Sequence, residues 1–251
     1  MVNFQIVSDL HIEYKNNSVP DPLDFITPSS EILILAGDIG SFYKINQLKE
    51  FLKKLCDIFK IVIYVPGNQE YYTFTEYKPL SMHDLINRLY DLEYSIPNLY
   101  VLNQTSIVIN NICIVGCTLW SKPDIKIPKF IVRIHGINNE LFEKKHFKDV
   151  EYIKKMIDYS QKNDLKLLVV THYCPSLKVL EGSRKRDKFT SLYVTDLEYL
   201  LNKNNIHTWV CGHIHNNFDF LSENGTRVVG NQKGKIKDKI TDYSKTFTIE
   251  I

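Results

Sequence analysis

Apolar residues in this chain fall into short blocks separated by turn formers. The runs NFQIVSD, EILILAGD, KIVIYVPGN, LYVLNQ, SIVIN, ICIVGCTLW, LKLLVVTH, TWVCGH, FDFLS, RVVGN and TFTIEI have strand length and are rich in Ile, Val, Leu and aromatic side chains. Several are continuous apolar blocks, the pattern of strands buried on both faces. A different period appears between them. In INQLKEFLKKLCDIF, residues 45–59, the side chains of Leu48, Phe51, Leu52, Leu55 and Phe59 form one stripe at three- and four-residue spacing, which predicts an amphipathic helix. LSMHDLINRLYDLEYS and ELFEKKHFKDVEYIKKMIDYSQKN carry helical patterns too, and VTDLEYLLNKN does so behind a capping box of Thr195 and Glu198. Strands and helices alternate first, as in parallel βαβ units, and INNI and ENGT then supply two-residue turns that close antiparallel hairpins. The pattern predicts an α/β fold with mixed sheets.

Composition narrows the class. The chain has 251 residues, 44% hydrophobic and 24% charged, enough for one sizeable domain over 1–251. Its apolar runs are far shorter than the roughly 20 residues of a membrane helix, so no membrane partner is expected. MVNFQIVSDLH has no basic start or small-residue cleavage site and runs directly into the first strand. The cysteines (Cys56, Cys113, Cys117, Cys174 and Cys211) are odd in number and scattered through apolar segments. They read as reduced core thiols, which points to a cytoplasmic protein. A net charge of +2 does not call for long nucleic acid, which normally demands a pronounced basic surface. The basic clusters SRKRDK (183–188) and KGKIKDK (233–239) read as solvated loops, or as a rim attracting phosphate-bearing substrates.

The chemistry gathers where apolar strands end. In IVSDLHIE, LILAGDIG, IYVPGNQE, LVVTHYCP and WVCGHIHN a strand is followed at once by metal-competent side chains. Ligand sites of open α/β sheets lie beyond the carboxyl ends of the strands, so these five loops are expected to converge. Asp9, His11, Asp38, Asn68, His172, His213 and His215 would supply carboxylate, amide and imidazole ligands. Seven are too many for one ion. A dinuclear centre explains the surplus if one carboxylate bridges two metals about 3.5–4 Å apart. In Asp9-Leu10-His11 and His213-Ile214-His215 the alternate spacing points two ligands to one side of an extended chain. The glycines before Asp38, Asn68 and His213 let the backbone approach a crowded site.

The blocks SDLH, AGDIG, PGNQE, VTHY and CGHIH, spanning residues 9–215 in this order, resemble the signature of the calcineurin-like metallophosphoesterases: D-x-H, G-D, G-N-H-[DE], H and G-H-x-H. GCTLW, THYCPS, GHIHNNFDF and GTRVVGN are similar to a bacterial-type subgroup of small phosphoesterases. The resemblance implies a four-layer α/β/β/α sandwich of two mixed sheets flanked by helices. It also implies a metal group of Asp9, His11 and His215, another of Asn68, His172 and His213, and a bridging Asp38. Mixed nitrogen and oxygen ligands favour Mn, Fe or Zn over Mg or Ca. The implied activity is hydrolysis of phosphodiesters or nucleotide-like phosphates by a metal-bridging hydroxide.

One position departs from the family. Gln69 stands where the histidine of G-N-H-[DE] is placed to give the leaving group its proton, and an amide offers a hydrogen bond but no proton. General acid catalysis is worth about 10²–10⁴ in rate, so an enzyme weakened on poor leaving groups is expected. The substitution, natural or introduced, also fits an easy leaving group, another donor (Tyr71, Tyr72 or His135), or a catalytically silent metal-binding interaction module. A nuclease is a further alternative. A variable insert at about 121–147 carries Lys122, Arg133 and His135 as candidate phosphate contacts. Tyr173, Asn68, Arg184 and Arg186 are candidate substrate contacts, as is Lys185.

Overall fold

A computed structural model describes residues 1–15, 18–180 and 187–251. The first half builds one sheet. β1 (Asn3–Val7), β2 (Ile32–Ala36), β3 (Ile61–Val65) and β4 (Leu99–Val101) lie side by side and parallel, and α1 (Ile45–Ile58) and α2 (Met82–Ser95) pack on their outer face. The second sheet has the order β5 (Thr105–Ile109), β6 (Ile112–Cys117), β7 (Lys166–Thr171), β8 (Thr208–Val210), β10 (Arg227–Gly230) and β9 (Phe218–Leu221). Its centre is parallel, and antiparallel strands close both edges. β11 (Thr248–Glu250) returns to pair antiparallel with β1, so the first sheet is mixed as well. The long α3 (Asn139–Lys162) covers the second sheet.

Alternation along each strand sorts side chains into two apolar layers. Ile6, Ile34, Ile63, Ile114, Val170 and Val210 meet between the sheets. Leu33, Leu35, Val62, Tyr64, Val115 and Val169, one position over, face the helices. The result is a four-layer α/β/β/α sandwich, and its strands place their carboxyl ends along one rim.

All eleven runs read as strands form strands, and three of the four helical patterns form helices. The exception is VTDLEYLLNKN. Only Glu198–Leu200 makes a single 3-10 turn, because the Glu198 amide is capped by Asp196 and the Thr195 hydroxyl accepts from the Lys122 amide instead of starting a helix. INNI closes β5–β6 in two residues, with Asn110 in the left-handed region at φ 54°. ENGT is longer than expected. Ser222 N donates to Thr226 O, which leaves a three-residue loop with Gly225 left-handed at its end. Four of the cysteines are buried, and all five are free thiols.

Candidate metal centre

Five loops meet at the rim, and the backbone bends sharply to deliver them. Asp9, His11, Asp38, His213 and His215 all have positive φ, between 51° and 76°, a conformation uncommon outside glycine and concentrated at functional sites. Crowding explains the flanking glycines. A Cβ on Gly67 would lie 2.3 Å from Asp38 Oδ1, and one on Gly37, itself at φ 86°, would lie 2.4 Å from His172 Nδ1. No larger residue fits at either place.

The structure brings six of the seven expected ligands into two groups, Asp9 with His11 and His215, and Asp38 with His172 and His213. Asn68 joins the second, its Oδ1 3.0 Å from His172 Nε2. In the first group, Glu13 accepts from His11 Nδ1 at 3.2 Å and Asp238 accepts from His215 Nδ1 at 2.5 Å. Those bonds hold the protons on Nδ1 and turn both Nε2 lone pairs inward, where they face each other at 3.0 Å, with Asp9 Oδ1 3.2 Å from His215 Nε2. Facing lone pairs repel unless a cation lies between them.

The second group repeats the logic with different holders. His172 Nδ1 donates to the Ala36 carbonyl at 2.9 Å, so its Nε2 is an acceptor surrounded by acceptors. These are Asn68 Oδ1 and, at 3.2 Å, Asp38 Oδ1, and His213 Nδ1 lies 3.1 Å away. Asn68 is aimed by its own amide, which donates to the Tyr72 hydroxyl, itself donating to Ile131 O. Asp38 Oδ2 is buried without a hydrogen-bond partner among the described residues. Both groups therefore fit a divalent cation on donor chemistry, orientation and an orphaned carboxylate oxygen.

Without metal, protons balance the negative charge of the carboxylates, and His172 Nε2 can hold one. Burial alone would lower the His172 pKa, yet the Asp38 carboxylate raises it to about 10. Asp9 is brought down to about 2 against its burial, by its bond to His215 and then the charges of His215 and His172. Asp38 is held well below the carboxylate range against its burial, by His172 and then by His11 and His213. Imidazoles from both groups thus act on one carboxylate, the position of a bridge. Glu70 goes the other way: burial raises it, and it braces the rim by accepting from Ile39 N, Gly67 N and the Tyr64 hydroxyl.

Gln69 lies at the mouth. Its amide N–H donates to Asp38 Oδ1 at 2.8 Å, while its side-chain Oε1 accepts from Lys235 Nζ at 2.8 Å and from the Tyr14 hydroxyl at 3.4 Å. A cavity of about 510 Å³ opens above the groups, lined by Asn68, Tyr72, Arg133, Tyr193, His213 and Lys235 among others. Beyond Lys235 a second cavity of about 440 Å³ carries Lys15, Arg133, Lys233, Lys235 and Lys237 on its wall.

Several expected contacts lie elsewhere in the structure than at the cavity wall. Tyr173 is buried beneath the site, its ring 4.0 Å from that of His213, and Tyr193 takes the cavity wall instead. His135 is exposed and lines neither cavity, and Lys122 pairs with Glu143 away from the centre. Tyr71 is buried against Phe42 and Trp120. The insert overhangs the cavity through Phe130, Ile131 and Arg133, and its last part, from residue 139, is the start of α3. Arg184, Lys185 and Arg186 lie outside the described residues. Sequence reasoning did not single out Glu13, Asp238 or Tyr193, and it read Lys235 only as part of the basic cluster at 233–239. Glu13, two residues after His11, left a local signal as well.

Fold and donor set together define a dinuclear metal-site protein of the phosphoesterase class. A family model described as calcineurin-like phosphoesterase matches residues 3–217, and the chain belongs to that family. It is 31% identical over 260 residues to an uncharacterized protein of Acanthamoeba polyphaga mimivirus, covering 91% of this chain and 89% of that one. Among solved structures it is similar to phosphopantetheinyl hydrolase from Mycobacterium tuberculosis, with TM-score 0.74, 15% identity, and 94% and 90% of the two chains covered. A dimetal phosphatase from Danio rerio gives TM-score 0.55 at 12% identity over 91% and 86%. At these identities the structural likeness concerns the fold. Among the described residues no helix is long and apolar enough to cross a membrane.

Proposed function

We propose that the protein is a two-metal phosphoesterase that hydrolyses a phosphodiester or nucleotide-like phosphate and works with a weakened proton supply at Gln69. The observation that carries this reading is the convergence of two donor groups whose imidazoles are turned inward by fixed acceptors. Asp9, His11 and His215 would hold one ion, Asn68, His172 and His213 the other, with Asp38 between them. Mn, Fe or Zn suits this mixture of nitrogen and oxygen. When bound, such a pair supplies Lewis acidity toward phosphoryl oxygens and an activated water.

The chain's own residues do the remaining work. Tyr72 holds Asn68 with its oxygen toward the second group. Gln69, with its Oε1 occupied by Lys235, keeps its amide hydrogens for a phosphoryl or leaving oxygen. Arg133, Lys235 and Lys237 line both cavities and give an anionic substrate a positive wall. A small substrate suits these cavities better than long nucleic acid. The flanking segments agree with the small bacterial-type subgroup, and the free thiols with a cytoplasmic setting. Gln69 favours one rival, a metal-binding interaction module without catalysis.

Metal analysis and turnover of an aryl and an alkyl phosphodiester with Mn²⁺ decide between them. The enzyme reading expects two ions per chain, measurable aryl hydrolysis, and a Gln69→His variant that accelerates the alkyl ester more than the aryl one. Two bound ions with neither ester cleaved by either protein would establish the module.

A further inference from the structure

We propose that Lys235 is a catalytic residue, whose ammonium, docked on Gln69, gives its proton to the oxygen of the departing group. This rests on the phosphoesterase reading above and names the donor that Gln69 cannot be.

The geometry comes first. Gln69 is pinned at its backbone to Asp38 Oδ1, and its side chain ends at Lys235 Nζ, 2.8 Å from Oε1. Two hydrogen bonds thus connect the carboxylate between the metal groups to an ammonium at the mouth. A second connection comes through the loop. Lys235 N donates to Asp238 Oδ2 at 2.8 Å, the same oxygen that accepts from His215 Nδ1. Lys235 is therefore fixed to both halves of the centre. Its side chain lines both cavities, with Nζ 5.3 Å from the centre of the Tyr14 ring.

Its ammonium sits among carboxylates without pairing directly with any of them. Lys235 makes no direct ion pair among the described residues, and the nearby carboxylates Glu13 and Asp238 hold His11 and His215. Half-buried, it also has its pKa lowered, first by desolvation and then by the neighbouring Lys237, against the attraction of Asp38, Glu13 and Asp238. A lysine shifted this way is a stronger acid than one in water and closer to the working range of a proton donor.

Other donors at the mouth serve less well. The Tyr72 hydroxyl donates to Ile131 O, and burial pushes its pKa up. Tyr14 is likewise pushed up by burial, and its hydroxyl reaches Gln69 only at 3.4 Å. Arg133 does not release a proton in water. In the step, the oxygen of water forms its bond to phosphorus as the bond from phosphorus to the ester oxygen breaks. The electron pair stays on that oxygen, which takes the proton from Nζ. Solvent returns a proton to the amine, and the water's proton passes to solvent.

The test compares Lys235→Met with the parent protein, both loaded with Mn²⁺, on an alkyl and an aryl phosphodiester. The alkyl rate is expected to fall by about 10²–10⁴ and the aryl rate by less than about tenfold, with two ions still bound. Calorimetry adds a readout without turnover: orthovanadate, which mimics the five-coordinate phosphorus with its leaving oxygen, should bind at least about tenfold more weakly to the variant. Equal losses on both esters, or unchanged vanadate affinity, would overturn the role of Lys235. If Lys235→Met fails to hold metal, Lys235→Arg carries the test. It keeps the charge but no releasable proton, so a selective alkyl loss supports the role and its absence refutes it. A parent protein inert on both esters would instead overturn the phosphoesterase reading itself.

Discussion

The two halves of the centre are held in place by different means. Around Asp9, His11 and His215 the imidazoles are steered by side-chain carboxylates, Glu13 and Asp238, which come from loops outside the sheets. Around Asp38, Asn68, His172 and His213 the steering groups belong to the scaffold: the Ala36 carbonyl at the end of β2 and a Tyr72 hydroxyl held by Ile131 O. A carboxylate supplies charge as well as direction, and it responds to pH. A strand carbonyl supplies direction only and is as rigid as its sheet. The first half is tunable and the second is built in, so they should differ in how they lose metal.

The largest effect belongs to the residue that would erase the distinction. Asp38→Asn removes charge from both halves, and should strip the chain of both ions and reduce phosphodiester hydrolysis at least about 10³-fold. Metal analysis beside an aryl-ester assay checks it, and retained activity would sink the dinuclear assignment. Asp238→Ala acts on one half. It should weaken one ion's affinity about 10–100-fold and leave the other unchanged, as a chelator titration would resolve. Uniform weakening would show that the halves are not independent. A smaller effect, less than about tenfold and on the same ion, is expected of Glu13→Gln, because the amide oxygen still accepts from His11 Nδ1.

Acidity probes the metal-free protein. His172 has its folded pKa raised to about 10 from an ordinary 6.5, chiefly by Asp38 acting against the desolvation that would lower it. Its contribution to stability is complete below about 6.5 and is lost as pH rises toward 10. Asp9 is depressed to about 2 from 3.8, so its contribution is present above about 3.8 and disappears as pH falls toward 2. The urea midpoint of the metal-free protein should therefore decline between pH 6.5 and 10, whereas the loaded protein, with its imidazoles already neutral, should stay nearly flat there. Parallel profiles would mean that protons do not compensate for metal charge at His172.

Much of this was legible in the order of residues. Among the described residues, the two periodicities picked out the eleven strands and the three long helices, because burial on a sheet or helix face repeats locally. The seven donors were legible because each follows directly on an apolar strand, and strand ends share a rim. VTDLEYLLNKN misled because Thr195 and Glu198 both found partners elsewhere in the fold. Ser176 donates to Glu198, and the Lys122 amide uses the Thr195 hydroxyl. Tyr173 misled in another way: its place beside His172 in sequence said nothing about which side of His213 its ring would fill.

The sequence by itself determined the strands, the long helices and the candidate donors at the strand ends, since these rest on short-range patterns that survive without contacts. Tertiary structure alone decided what surrounds those donors. Asp238 reaches His215 across 23 positions and Lys235 reaches Gln69 across 166, through loops whose paths no periodicity encodes. Side-chain partners chosen by proximity depend on where the whole chain closes, and in this protein that closure set the Lys235 ammonium against the Gln69 amide.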